Sequence, residues 1–105
     1  MSEKKLAALT FDDGPAEGIT DKVLDVLEKN EIVASFFLIG NNITDDTASL
    51  VKRAYSMGCS IENHSRTHNA MPDLGDQEIL DEISYTSDVI EKITGDKPQF
   101  FRPPY

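Results

Sequence analysis

The chain has 105 residues, 39% of them hydrophobic and 28% charged, which fits at most one small globular domain with a modest core. Ten basic against nineteen acidic residues leave a formal net charge of −9, a surface that repels phosphate backbones and makes nucleic acid a poor partner. No run approaches the ~20 apolar residues that span a bilayer, and the single cysteine, Cys59, excludes an intrachain disulfide.

Residues 1–5 (Met-Ser-Glu-Lys-Lys) lack the apolar core of a signal peptide, so the chain as written reads as cytoplasmic. An extracellular protein whose signal had been removed would read the same. Residues 6–11 are short and mostly apolar, which predicts a buried parallel strand. Thr20 or Asp21 can cap a helix that carries Val23, Leu24, Val26 and Leu27 towards Asn30. Residues 33–39, β-branched and aromatic, predict a second strand closed by Gly40. A second helix is expected from about Asp45, with Leu50, Val51, Ala54 and Met57 on one face and Gly58 at its end. Residues 59–62 predict a brief third strand, in which Cys59 is a small buried hydrophobe.

An irregular loop over residues 69–75 precedes the longest helix, expected from about Asp76 to Thr94. Ile79, Ile83, Thr86, Ile90 and Ile93 recur there at steps of four and three, one amphipathic stripe. The acidic residues Asp76, Glu78, Asp81, Glu82, Asp88 and Glu91 are expected on its solvated face. Gly95 stops this helix, and residues 99–101 start a fourth strand.

The order βαβαβαβ argues for a parallel sheet with helical crossovers. Every polar motif falls just after a strand's carboxyl end, where α/β barrels build their active sites. Parallel barrels typically need ~250 residues. These residues therefore read as the first half of a larger domain, with a sheet edge open to a missing C-terminal segment or to a second copy.

Two motifs carry the chemistry. In Thr10-Phe11-Asp12-Asp13-Gly14-Pro15, two adjacent carboxylates follow the first strand and repel each other, a cost that a bound cation removes. One can ligate the cation while the other stays free as a general base. In His64-Ser65-Arg66-Thr67-His68, two imidazoles at i and i+4 can share one face of a helical turn. One carboxylate and two histidines leave coordination positions open, as catalytic sites require. Zinc is the default ion, and nickel, cobalt or manganese suit the same ligand types. Arg102 would point to the same rim and hold a carboxylate such as Asp12 ionised and oriented. Beyond the rigid Pro103-Pro104 exit, the Tyr105 N–H would project into the site as an oxyanion donor. Asn63 and Ser65 are expected to support the histidines, and Asn41, Asn42 and Thr44 to cap a loop or line a sugar subsite.

Thr-Phe-Asp-Asp-Gly-Pro, His-Ser-Arg-Thr-His and Arg-Pro-Pro-Tyr, in this order and spacing, resemble the polysaccharide deacetylases of the NodB-homology type, carbohydrate esterase family 4. The resemblance covers residues 6–105. It implies a distorted (β/α) barrel, here its first half, and metal-dependent removal of acetyl groups from a polysaccharide or oligosaccharide such as an N-acetylglucosamine polymer or acetylated xylan. It also implies that Asp12 is the base and Arg102 its orienting partner. Asp13, His64 and His68 would be the metal ligands, and the Tyr105 backbone the oxyanion donor. Two later motifs usual in that family, one supplying a pocket wall with an Asp partner for the arginine and one a general-acid histidine, are absent from this sequence. The chain is therefore expected to be inactive or nearly so alone. A non-catalytic metal-binding half-domain that associates with a partner segment or with itself is the alternative. Glu62 stands where many members have glycine and is expected to face outward.

Overall fold

The structure is a computed structural model that describes residues 9–104. Three strands, β1 (Thr10–Asp12), β2 (Ser35–Leu38) and β3 (Ser60–Asn63), form one parallel sheet in the order β1-β2-β3. Helices α1 (Thr20–Lys29) and α2 (Ala48–Ser56) make the crossovers, and α3 (Asp76–Thr94) follows β3. None of the helices is long and apolar enough to cross a membrane.

The register explains the layering. Phe11, Phe36 and Ile61 lie side by side across the strands, as do Asp12, Phe37 and Glu62, and the pleat turns these rows to opposite faces. The first row joins a single core with Leu24 and Leu27 of α1, Val51 and Ala54 of α2 and Ile90 of α3. Stacked Phe11 and Phe36 rings, 5.3 Å apart, close its β1 end. The second row carries the polar chemistry on the other face.

Several local expectations shift for physical reasons. The first strand extends through Asp12, and its expected start at residues 6–8 lies outside the described residues. The second strand is shorter than expected, and Val33 is largely exposed. The α1 start has no side-chain cap; Thr20 instead accepts the Ala16 N–H at 2.9 Å. The second helix begins at Ala48 rather than near Asp45, because Thr47 turns its hydroxyl back to Asn42 O (2.7 Å) and accepts the Thr44 N–H (2.8 Å). Gly58, at φ +95°, ends that segment in the left-handed region that glycine tolerates. Cys59 is buried, but the third strand runs one residue later than expected and includes Asn63.

The expected fourth strand reduces to one parallel bridge, Asn63 with Phe101. Two backbone bonds make it: Asn63 N–H to Phe100 O (3.1 Å) and Arg102 N–H to Asn63 O (2.9 Å). The next donors along the segment, the N–H groups of Gln99 and Phe100, go to the Glu62 carboxylate. Glu62 is thus buried rather than outward-facing. Along the same edge, the Tyr55 hydroxyl of α2 donates to Asp96, a bond that raises the phenol pKa above its usual value.

Candidate functional site

Asp12 and Asp13 separate at the end of β1. Asp13 adopts φ +77°, and its backbone is held by an N–H bond to Phe37 O (3.2 Å) and by the Asn42 amide on its carbonyl (2.8 Å). This turn sends the neighbouring carboxylates in different directions. Asp12 accepts from Arg102 Nη1 at 2.7 Å, and the same guanidinium lies 4.0 Å over the Phe37 ring. Asp13 Oδ1 instead sits 3.1 Å from both His64 Nε2 and His68 Nε2.

The two histidines meet differently from the helical turn that their spacing suggested. Residues 64–70 are a loop, in which Ser65 (φ +74°) and His68 (φ +69°) take left-handed backbone conformations that fold the rings to 5.0 Å between centroids. Such a loop needs outside support, and α3 supplies much of it. Thr86 Oγ1 donates to Ser65 O (2.8 Å), which also accepts the Gly40 N–H (2.9 Å). Glu82 accepts both the N–H (3.1 Å) and the hydroxyl (2.7 Å) of Thr67. Within the loop, Ser65 Oγ accepts the His68 N–H at 3.0 Å.

Asn63 is the hub beneath the loop. Its amide donates to Ile83 O (2.8 Å) and Ser87 Oγ (2.9 Å), and its oxygen accepts the Ser65 N–H (2.9 Å). Asn63→Ala leaves the buried Ser65 N–H without its acceptor and takes one donor from Ile83 O, which keeps its bond within α3, an expected loss of about 2–3 kcal/mol. A urea titration that places the variant within about 1 kcal/mol of the parent would count against this role.

The site fits a divalent cation on its own geometry. His64 Nδ1 lies 2.6 Å from Arg102 O. A carbonyl only accepts, so the proton sits on Nδ1 and Nε2 is the atom turned to Asp13. A ring lone pair and a carboxylate oxygen this close repel unless a proton or a cation lies between them. The ligand atoms of Asp13, His64 and His68 all fall within 4.8 Å of one another. His64 is buried and His68 partly so, whereas the Asp13 side chain is 61% exposed, which leaves the centre open on one side.

The sequence of the whole chain matches the family described as polysaccharide deacetylase, over residues 1–105. The chain belongs to the polysaccharide deacetylase family. Curated relatives include a bifunctional xylanase/deacetylase of Pseudobutyrivibrio xylanivorans, 47% identical over 97% of this chain. A peptidoglycan-N-acetylmuramic acid deacetylase of Bacillus subtilis is 40% identical over the same share. This chain spans 17% and 22% of their respective lengths. Among solved structures, a family 4 acetyl xylan esterase from Clostridium thermocellum in complex with a cobalt ion superposes with TM-score 0.91 and 42% identity. It is matched over 95% of this chain and 49% of its own. The Xyl-CE4 domain of a multidomain xylanase from the hindgut metagenome of Trinervitermes trinervoides gives TM-score 0.90 and 46% identity, over 93% and 47%. The chain thus spans about half the length of these solved deacetylase and esterase chains.

Of the residues that the sequence singled out in this deacetylase-family chain, Asp13, His64 and His68 converge, and Asp12 and Arg102 form a separate pair. Tyr105 lies outside the described residues. Asn63 and Ser65 do support the histidine loop. Asn42 braces the Asp13 turn, and Asn41 accepts from Arg66 Nε (3.2 Å). Two carboxylates escaped the sequence reading. Glu62, inside a strand, is a residue type depleted from strands, which was a signal. Glu82, placed on the solvated face, is buried instead; it lies four residues before Thr86 and shares that residue's stripe.

Proposed function

We propose that the chain is the N-terminal half of a NodB-type barrel and carries the metal and base end of a carbohydrate deacetylase centre. The observation that carries this reading is the division of labour between neighbouring aspartates. Asp13 Oδ1 faces both histidine Nε2 atoms at 3.1 Å, while Asp12 faces the Arg102 guanidinium at 2.7 Å. The expectation that this is part of a larger barrel is supported by the roughly half-length coverage of solved relatives.

Asp13, His64 and His68 would hold the cation, with zinc the default and cobalt, nickel or manganese compatible with the same donors. A divalent ion there supplies Lewis acidity, polarising an acetyl carbonyl and acidifying water. The rest falls to the chain's own groups. Asp12 accepts the proton of the attacking water, and Arg102 keeps its carboxylate oriented for that transfer. Stacking on Phe37 fixes the guanidinium plane, so Asp12 is presented in one direction. The Tyr105 N–H would receive the developing oxyanion. The glycan classes named for the relatives, xylan and peptidoglycan, set the candidate substrates here: an acetylated xylan or an N-acetylated amino sugar polymer.

His64 and His68 are the only histidines, and both are drawn to Asp13, so neither is free to protonate a leaving group. The 105-residue chain alone is therefore expected to release acetate from acetylated xylan or chitooligosaccharide far more slowly than a version extended to the length of its solved relatives. Asp12→Asn in the extended version should lower kcat by about 10²–10⁴-fold with metal content retained. Equal rates for the short and extended chains would overturn the missing-acid reading. An active Asp12→Asn enzyme would overturn the assignment of the base.

A further inference from the structure

Glu62 lies outside the groups that the proposed chemistry uses, yet it is buried, with 5% of its surface exposed. A buried carboxylate is costly unless its oxygens are satisfied. Here Oε1 accepts two backbone N–H groups, from Gln99 at 2.8 Å and Phe100 at 3.0 Å. Both lie more than 35 residues away in sequence, at the start of the segment that delivers Arg102.

That segment is weakly held by backbone alone. One parallel bridge with two bonds attaches it to β3. A continuing ladder would hand the Phe100 N–H to a β3 carbonyl, but the glutamate side chain takes its place and adds Gln99. Charge-assisted acceptance is about twice as strong as a neutral bond. The segment then makes two contributions to the site. Its Arg102 guanidinium reaches Asp12 (2.7 Å), and its Arg102 carbonyl meets His64 Nδ1 (2.6 Å).

We propose that Glu62 is a positioning residue: its carboxylate clamps the backbone of residues 99–100 and thereby sets both the Asp12–Arg102 pair and the orientation of His64. It touches none of the reacting groups. The inference rests on the metal and base assignment given above for what the positioning serves, but the clamp itself rests on Glu62 and its two donors.

The test compares Glu62→Asp, Glu62→Ala and Glu62→Gln in this chain. Amide hydrogen exchange reads the clamp, the His64 Nδ1–H proton resonance reads the positioning, and Co2+ titration reads the metal centre. Aspartate keeps the charge but falls short by one methylene. Glutamine keeps one acceptor oxygen, which is all the clamp uses. Exchange at Gln99 and Phe100 is expected to quicken ~10- to 100-fold in the Asp and Ala variants and by only a few-fold in the Gln variant, which keeps the acceptor but not its charge. The His64 Nδ1–H signal should shift or broaden in the Asp variant and recover in the Gln variant. Co2+ affinity should fall by roughly tenfold and recover likewise.

Parent-like exchange at Gln99 and Phe100 in the Asp variant would overturn the clamp, and that variant decides if Glu62→Ala does not fold. An equal loss of protection across β1 and β2 would also overturn it, since the glutamate would then hold the core. A loosened segment with an unmoved His64 signal would overturn the positioning role. A parent chain that binds no Co2+ would refute the metal assignment instead, leaving exchange and the His64 resonance to judge Glu62.

Discussion

Replacing Asp13 or His64 by alanine is expected to abolish measurable divalent-metal binding, whereas Asp12→Ala leaves it within a few-fold of the parent. The loss should exceed the roughly 10–100-fold that removal of an outer-shell partner costs, because a direct ligand disappears. The contrast between adjacent residues is what makes this informative. Asp13 Oδ1 stands 3.1 Å from two imidazole nitrogens, while Asp12 is turned to Arg102. Isothermal titration with Zn2+ or Co2+ measures it, with thermal unfolding as the control for His64, which is buried. Full metal content in His64→Ala would refute the site. Loss in Asp12→Ala with retention in Asp13→Ala would exchange the roles of the two carboxylates.

The second large effect is expected at a residue that is not itself a ligand. A Cβ at Gly40 would lie 2.2 Å from Thr86 Oγ1 and 2.9 Å from Tyr85 Cδ1. Thr86 is fully buried and bonded to Ser65 O, so it has little room to yield. Gly40→Ala should therefore cost ~3 kcal/mol, at the upper end for overpacking. At ~4–8 °C per kcal/mol for a domain of this size, Tm falls by more than ~10 °C. The clash would push α3 off the histidine loop, so metal affinity should drop as well. Thr86→Ala in the same chain removes the hydroxyl that the new methyl meets, and the pair should be less destabilised than the two single changes summed. An unchanged Tm in Gly40→Ala would sink the argument.

How much of this was legible in the sequence depended on how local the controlling interaction is. The third helix was read to its ends, because its period and its flanking Gly75 and Gly95 are local signals; Gly95 indeed sits at φ +85°. That one of the two aspartates joins the two histidines was legible as chemistry, since few other uses suit such residues after strand ends; that it is Asp13 came from the family resemblance. The geometry was not legible. A spacing of four suggested a helical turn, but two left-handed residues at Ser65 and His68 bring the rings together by another route. What drives that route is support from Gly40, Asn63, Glu82 and Thr86, which sequence spacing does not reveal. The fourth strand failed for a related reason. Its residues have strand propensity, but the acceptor for its first donors is a side chain, and only the tertiary fold places Glu62 there. Burial of a carboxylate is decided by the donors that surround it, so Glu62 and Glu82 looked like ordinary surface acids until those donors were known.

The uneven support of the three converging side chains has a consequence for ion choice. Both imidazoles belong to a loop braced by strand, helix and neighbouring backbone, so their spacing is nearly fixed. Asp13 has a tethered backbone but a side chain that is 61% exposed and carries no packing comparable to that around the rings. Differences in ionic radius would therefore fall mainly on one carboxylate. Such a centre would work as a vice with one fixed jaw and one sliding jaw, and it is expected to accept several divalent ions of similar size, with discrimination left to their availability and ligand preference rather than to cavity fit.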